Sequence, residues 1–567
     1  MPVLDVKFSR IKKLLNIDLT LEELAEVLFR YGMELESYEE RDNDYLLKIE
    51  ITPDRPDMLS TWGLVRALKK YLEISPGLER YTIRDSNYKI IVDKSVENIR
   101  PFIAATVARN INLNEDDLEE LIYAQEKLHE TFCRGRKKAS IGFYPLRKIA
   151  WPLKYFAENP EKIKFKPLGA DREMNGYEIL EIHPTGQKYA HILKGFDRYP
   201  LFTDNLGHVL SLPPIINSED YGKITEEDKD ILLEVTGIHK PTVELVINIM
   251  SSILKDIGAD LYSVEIVYPS LSERSPYLEN SVWKLRYNYI TKVLGIELAT
   301  EDVISLLKKM GLDGHFIDKE EIEVLVPGYR ADILHPIDIV DDIARAYGFD
   351  NFEPELTPVF TTGGSLKRTE IIDYVRELML GLGFNEVFTF ALTNMEDQFD
   401  KMLLPRDENI VAIMGAKEAK INMVRKWLIP ELLKTLAYNK DKKYPLKFFE
   451  VSDVVILSEE VDVRAVNETR LAAITAHVDA SFTEIRSTAE YLLRALGFEN
   501  FKIRRISHSS FVEGRVIGIY VNDVEVGFLG ELHPQVIINW GLAVPIAAME
   551  ISLDKLMAWP YKPVEIA

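Results

Sequence analysis

The chain has 567 residues, and 69 Lys and Arg against 91 Asp and Glu give it a formal net charge of −22. That length divides into several domains, no apolar run approaches the ~20 residues of a membrane span, and the single cysteine, Cys133, excludes internal disulfides and cysteine-rich zinc sites. The acidic balance argues against nucleic-acid binding through overall charge, leaving that role to a local basic patch or a shared surface. Met1–Val6 lacks the basic patch and apolar run of a signal peptide, so a reducing cytoplasm is expected.

In chain order, the first periodic segment opens on a Thr20/Glu23 capping box. It places Leu24, Val27, Leu28 and Tyr31 at helical spacing and stops at Gly32. The design recurs at an offset of 279, where Val303, Leu306, Leu307 and Met310 precede Gly311. Upstream, Phe8, Ile11, Leu14, Leu15 and Ile17 recur as Tyr287, Ile290, Val293, Leu294 and Ile296, so a helix-loop-helix of about 30 residues occurs twice. Each copy runs into a β-rich stretch and an Arg-x-Asp, Arg55-Pro56-Asp57 and Arg330-Ala331-Asp332, here at an offset of 275. The repeat predicts architecture and, alone, no activity.

Residues 86–275 have no internal copy and read as a mixed α/β domain. A basic run, Arg134-Gly135-Arg136-Lys137-Lys138, precedes the apolar strand Ser140–Tyr144 and reads as a solvated loop or a phosphate contact. Further on, Tyr199–Phe202, Leu210–Ser218 and Glu234–Gly237 concentrate hydroxyls, an acid and prolines among apolar residues. This fits a pocket with a few placed polar groups, or three loop ends at a core rim.

Only the second copy carries an acid cluster. Asp332, Asp338, Asp341 and Asp342 stand where the first copy has Asp57, Gly63, Arg66 and Ala67. After Pro336, a good first helical residue, the last three acids fall at i, i+3 and i+4, with Asp332 approaching from the preceding turn. Such acids complement a helix dipole, or they hold a hard cation such as Mg2+, one or two binding directly and the others through water. Beyond residue 355, strands such as Lys447–Val451 and Val526–Gly530 alternate with helices, predicting an antiparallel sheet flanked by helices. A Gly-rich phosphate loop, a Gly-x-Ser-x-Gly elbow and a His-Glu-x-x-His pair are absent, so nucleotide-hydrolase and protease readings lose support.

Five motifs in order, Glu50–Asp57 with Gly63, Ser211–Ser218, Arg330–Gly348, Gly383–Val387 and Gly530–Pro534, resemble the β subunit of phenylalanyl-tRNA synthetase in its shorter archaeal and eukaryotic form. The resemblance covers essentially the whole chain. It implies an α+β multidomain fold of an N-terminal module (1–85), an editing-like domain (86–275), a second module with the acid cluster (276–355) and a class II synthetase-like, non-catalytic core (356–567). It also implies a heterotetramer of two α and two β chains that binds tRNA, with phenylalanine and ATP activated on α.

Class II catalysis needs an Arg two residues before its motif-2 acid, and here Phe448 stands two before Glu450. By the same resemblance, the acids Asp332, Asp338, Asp341 and Asp342 hold Mg2+. The middle domain would hydrolyse mischarged tyrosyl-tRNA, with Glu234 accepting the tyrosine hydroxyl, Ser211 and Thr236 orienting substrate or water, and Phe202 lining the ring pocket. The chain departs from the family at Pro145, where Asp is usual, and at Ile238-His239, where Thr-Asp is usual. A structural, tRNA-positioning subunit is the alternative these departures favour.

Overall fold

The computed structural model describes residues 2–41, 43–357, 359–416, 420–459 and 461–557. It is a mixed α/β protein of several sheets that divides into two compact units, Met1–Leu356 and Thr357–Ala567. No helix among the described residues is long and apolar enough to cross a membrane.

The repeat in the sequence is a repeat in the fold. In the first copy, helices Phe8–Leu15 and Leu21–Tyr31 pack on a three-stranded antiparallel sheet in which Asp44–Glu50 lies between Val3–Lys7 and Glu34–Arg41. Helices Tyr287–Leu294 and Thr300–Lys309 pack on an equivalent sheet centred on Glu321–Val326. The Thr20 side chain accepts from the Glu23 backbone and the Glu23 side chain accepts from Thr20, so the capping box forms. Gly32 closes the helix at φ +99°, a backbone region that glycine enters at little cost.

The two copies complete each other around a pseudo-two-fold. Leu21–Tyr31 of the first packs on Pro336–Tyr347 of the second, while Thr300–Lys309 of the second packs on Thr61–Tyr71 of the first. Gly32 sits under Arg345, where an added Cβ would lie 3.0 Å from the guanidinium, and Gly311 sits under the equivalent Lys70, at 3.4 Å. Met310, Tyr329 and Ala346 of the second copy are buried in the core of the first.

Between the copies lies an eleven-stranded sheet. Its longest path runs Ile216–Asn217, Val209–Leu212, Tyr199–Thr203, Leu153–Glu158, Lys89–Val92, Asp260–Val267, Phe102–Arg109, Ile231–Gly237, Ala139–Pro145. Ile83–Arg84 also joins it, parallel to Asp260–Val267, so the sheet begins three residues before residue 86, the expected start of the domain. Helices Glu115–Glu130 and Lys240–Ile257 cover one face in a core continuous with that of the first copy. The other face encloses its own core of Ile103, Val107, Tyr144, Phe202 and Leu232, among others. The sheet curls until its two ends meet, bridged by Tyr144 to Ser211 and by the Asn217 amide donating to the Phe143 carbonyl.

The second unit is a seven-stranded sheet, antiparallel except where Asn385–Glu386 joins one edge in parallel. Lys367–Gly381 and Phe482–Ala495 cover one face, and Ile429–Tyr438 and Pro534–Asn539 the other.

Candidate active site

A cavity of about 630 Å³ opens where the two ends of the curled sheet meet, lined among others by Arg136, Tyr144, Ser211, Pro214 and Glu234. Its floor is set by register. Glu234 pairs with Gly142 and Thr236 with Ser140, so Glu234, Thr236, Ser140 and Tyr144 share one face of adjacent strands. The Tyr144 ring leans over Gly142 to reach Glu234. A Cβ at Gly142 would lie 2.4 Å from the Tyr144 hydroxyl and 2.5 Å from Glu234 Oε2, so only glycine leaves room for that meeting.

The Tyr144 hydroxyl is 2.8 Å from Glu234 Oε2 and 2.8 Å from Ser211 Oγ. A carboxylate only accepts, so Tyr144 donates to Glu234 and Ser211 donates to the phenol oxygen. Glu234 Oε1 is buried and has no hydrogen-bond partner, while the Thr236 hydroxyl is taken by Arg100 Nε at 3.1 Å and Ser140 Oγ at 3.0 Å. Burial pushes the Glu234 carboxyl up to about 7, against the opposing pull of the Tyr144 hydroxyl and the Arg100 charge.

The cavity rim is fixed from the basic run. Arg136 Nη2 and His129 Nδ1 both donate to Glu126 Oε1 at 2.9 Å, and His129 Nε2 accepts the Ile141 N–H at 2.8 Å, which places the imidazole proton on Nδ1. Burial opposes ionisation of Glu126, yet His129 and Arg136 hold it down to about 2. Arg136 Nη1 also donates to the Ile215 carbonyl at 2.9 Å, tying the two sheet ends together, and its Nε is buried without a partner.

Of the four residues read from the sequence, Ser211 and Glu234 line the cavity and Thr236 stands one pleat behind Glu234, holding Arg100. Phe202 requires correction. It is not among the residues that line this cavity; Tyr144, equally buried, does line it, with the two ring centroids 5.7 Å apart, and Phe202 packs on from there to Tyr155. Sequence reasoning took Tyr144 for an ordinary strand residue and did not single out Arg100. Their partners lie tens of residues away, and only the register joins them.

The acid cluster does not converge. Arg330 grips Asp332 through two bonds, 2.7 and 2.6 Å, and its Nη2 also reaches Asp342 at 2.8 Å. Asp338 accepts the N–H groups of Leu334 and His335 at 2.8 and 2.7 Å as part of the helix cap, and Asp341 pairs with Arg345 at 2.8 Å. Arg330 holds Asp332 down to about 2 despite burial, whereas burial raises Asp342. Among the described residues, no group of three or more His, Cys, Asp or Glu is gathered to hold a metal. As folded, Asp332, Asp338, Asp341 and Asp342, expected to hold Mg2+ with one or two binding directly, each serve a protein donor and are not drawn together around one point.

The family models "Phenylalanyl tRNA synthetase beta chain CLM domain", "tRNA synthetase B5 domain" and "Phe-tRNA synthetase beta subunit B1 domain" match residues 354–553, 283–349 and 1–74. The chain is 37% identical to the phenylalanine–tRNA ligase β subunit of Thermococcus sibiricus over 98% of both chains. The chain belongs to the phenylalanine–tRNA ligase β subunit family. The β subunit of Methanocaldococcus jannaschii is 36% identical over 98% of this chain and all of that one. A crystal structure of an N-terminal fragment of the phenylalanyl-tRNA synthetase β subunit of Pyrococcus horikoshii matches with a TM-score of 0.59 at 34% identity, covering 61% of this chain and 99% of the fragment. Within that family, the B5 match coincides with the second copy and its acids, and the B1 match with the first.

Proposed function

We propose that the chain is the β subunit of a cytoplasmic phenylalanine–tRNA ligase of two α and two β chains, and that its middle domain hydrolyses tyrosyl-tRNA formed in error on α. The observation that carries the editing reading is the buried, unpartnered Glu234 Oε1 at the cavity wall. Tyrosine would donate its hydroxyl there, whereas phenylalanine would leave the acceptor as unpaired as before, a difference of about 1–3 kcal/mol in favour of tyrosine. The Tyr144 bond fixes the carboxylate before substrate arrives, so little ordering is left to binding.

Water is the nucleophile in this reading. Burial pushes the Cys133 thiol up to about 12, and Ser211 meets a phenol instead of a histidine base. An aminoacyl ester is already activated, and a positioned water suffices to cleave it into tyrosine and free tRNA.

The C-terminal unit is proposed as a class II-like core without aminoacylation chemistry. Phe448 is buried in its core, and Glu450 is held by Arg425 at 2.9 Å and by the Thr389 hydroxyl at 2.6 Å. Phe388 and Phe390, 85% and 84% exposed beside the largely exposed Lys367–Gly381 helix, suit it for covering by the α chain. ATP is used on the α chain in this reading, and Asp332, Asp338, Asp341 and Asp342 take no part in the hydrolysis.

The test is release of tyrosine from mischarged phenylalanine tRNA by the co-expressed αβ complex. Glu234→Ala should slow release about 10- to 100-fold with phenylalanine ligation unchanged, and equal loss of both activities contradicts a dedicated editing role. Release should also rise with pH through about 7, as the Glu234 carboxylate forms. The second reading, a structural and tRNA-positioning subunit, is favoured by Ile238, which is exposed and apolar, and by His239, whose Nδ1 is spent on the Thr242 hydroxyl at 2.9 Å. Ligation without release would select it.

A further inference from the structure

Among the described residues, the buried Arg100 lacks the carboxylate partner that its counterparts have. Arg55, Arg66, Arg330 and Arg425 are buried and each pairs with a carboxylate. Arg100 is 1% exposed and bonds only neutral acceptors: the Thr236 hydroxyl at 3.1 Å, the Thr236 carbonyl at 2.7 Å, Ser140 Oγ at 3.1 Å and the Lys137 carbonyl at 3.3 Å. Four bonds leave one of the five guanidinium N–H groups unspent. A buried charge without a counter-ion is costly, and burial accordingly lowers the Arg100 pKa.

Arg100 faces a second cavity, of about 240 Å³, on the far side of Pro214 from the first. Its polar side chains are Arg100, Lys137 and His191, and the others include Ile192, Phe196 and Ile238. No Asp or Glu lines it, although the chain has 91 of them. Lys137 belongs to the same basic run as Arg136, which fixes the rim of the first cavity, and Lys137 itself is exposed. The wall between the cavities is thin, since Pro214 lines both and Ser140 of the first accepts a bond from Arg100 of the second. Phe196 and Ile238 are partly exposed, giving the cavity apolar surface on which a base can rest.

We propose that this second cavity binds a phosphate of the tRNA 3′ end, anchoring the terminal nucleotides while the ester they carry lies in the adjoining cavity. Arg100 supplies a fixed buried donor and Lys137 an exposed charge beside it, a pair that suits the negative oxygens of a phosphodiester. The inference rests on the editing reading for the position of the ester, but the phosphate site is tested without it.

The probe is the trinucleotide CpCpA, its affinity for the full chain measured as a function of salt. Lys137→Glu should weaken binding about tenfold and reduce the salt slope by about one, while Lys137→Arg retains both. Lys164→Glu, at an exposed lysine elsewhere in the same domain, controls for general charge and should change affinity by less than about twofold. Equal effects of Lys137→Glu and Lys164→Glu overturn the proposal, as does unchanged CpCpA binding in Lys137→Glu. If inorganic phosphate binds with the Lys137 dependence and CpCpA does not, the site serves a free phosphate and the RNA assignment falls. Lys137-dependent CpCpA binding in a complex that releases no tyrosine supports the phosphate site and refutes editing alone.

Discussion

The two copies of the small module share a skeleton and differ in how they satisfy one arginine. In the first, Arg55 grips Asp57 through two bonds and spends its third direction on the Tyr31 hydroxyl at 2.9 Å. In the second, Arg330 grips Asp332 in the same way, but Met310 replaces Tyr31 and offers only its carbonyl, at 3.3 Å, and Asp342 replaces Ala67 to take up another N–H. The pairs face each other, with Arg55 Nε 4.0 Å from Asp332. Gly63 and Asp338 differ for an equally local reason. A Cβ at Gly63 would lie 1.9 Å from the Asp57 carbonyl, whereas Asp338 caps a helix that starts from His335. Two of the four acids that look like a metal set are thus read most directly as repairs, each filling a bond that the other copy makes differently.

Substitutions at equivalent positions sharpen this contrast. Gly63→Ala should cost about 4 kcal/mol or abolish folding, because the methyl meets backbone that cannot yield. Asp342→Ala should cost about 2–3 kcal/mol by stranding part of a buried guanidinium, and adding Met310→Tyr, which copies the first module, should recover part of it. Asp338→Ala should lose about 1 kcal/mol with the helix cap, and Asp341→Ala, which breaks a half-exposed pair, less than about 0.5 kcal/mol. Hydrogen-exchange protection of the Pro336–Tyr347 helix reads the three acid substitutions on one scale. The smallest expected effect is that of Mg2+. Millimolar Mg2+ should leave that protection unchanged, and a rise abolished by Asp341→Ala would show that the acids can leave their partners and assemble around an ion.

The legible part of the fold was the part written in local periodicity. The Thr20/Glu23 box, the Gly32 stop, Pro336 as first helical residue and the repeat at a fixed offset all depend on neighbours within a turn, and all form. The acids were legible as a cluster but not as four separate functions, because which donor claims a carboxylate depends on Arg330 and on backbone brought in by the turn. Glu234 and Ser211 line the cavity. Tyr144 escaped notice because a tyrosine in an apolar strand carries no local signal. It acquires its role only when the curled sheet brings it to Ser211, 67 residues away, and to Glu234, 90 away.

The reciprocal packing of the copies has a consequence in time. Met310, Tyr329 and Ala346 complete the core of the first copy, yet they follow its end by roughly 225 to 260 residues in the chain. At ribosomal rates of about 5–20 residues per second, the first copy waits tens of seconds after emerging before the segments that fill it exist. During that interval the module carries an open apolar face and a buried-type Arg55 with no second copy opposite. Synthesis of the intervening domain thus sets how long that face stays open in a nascent chain.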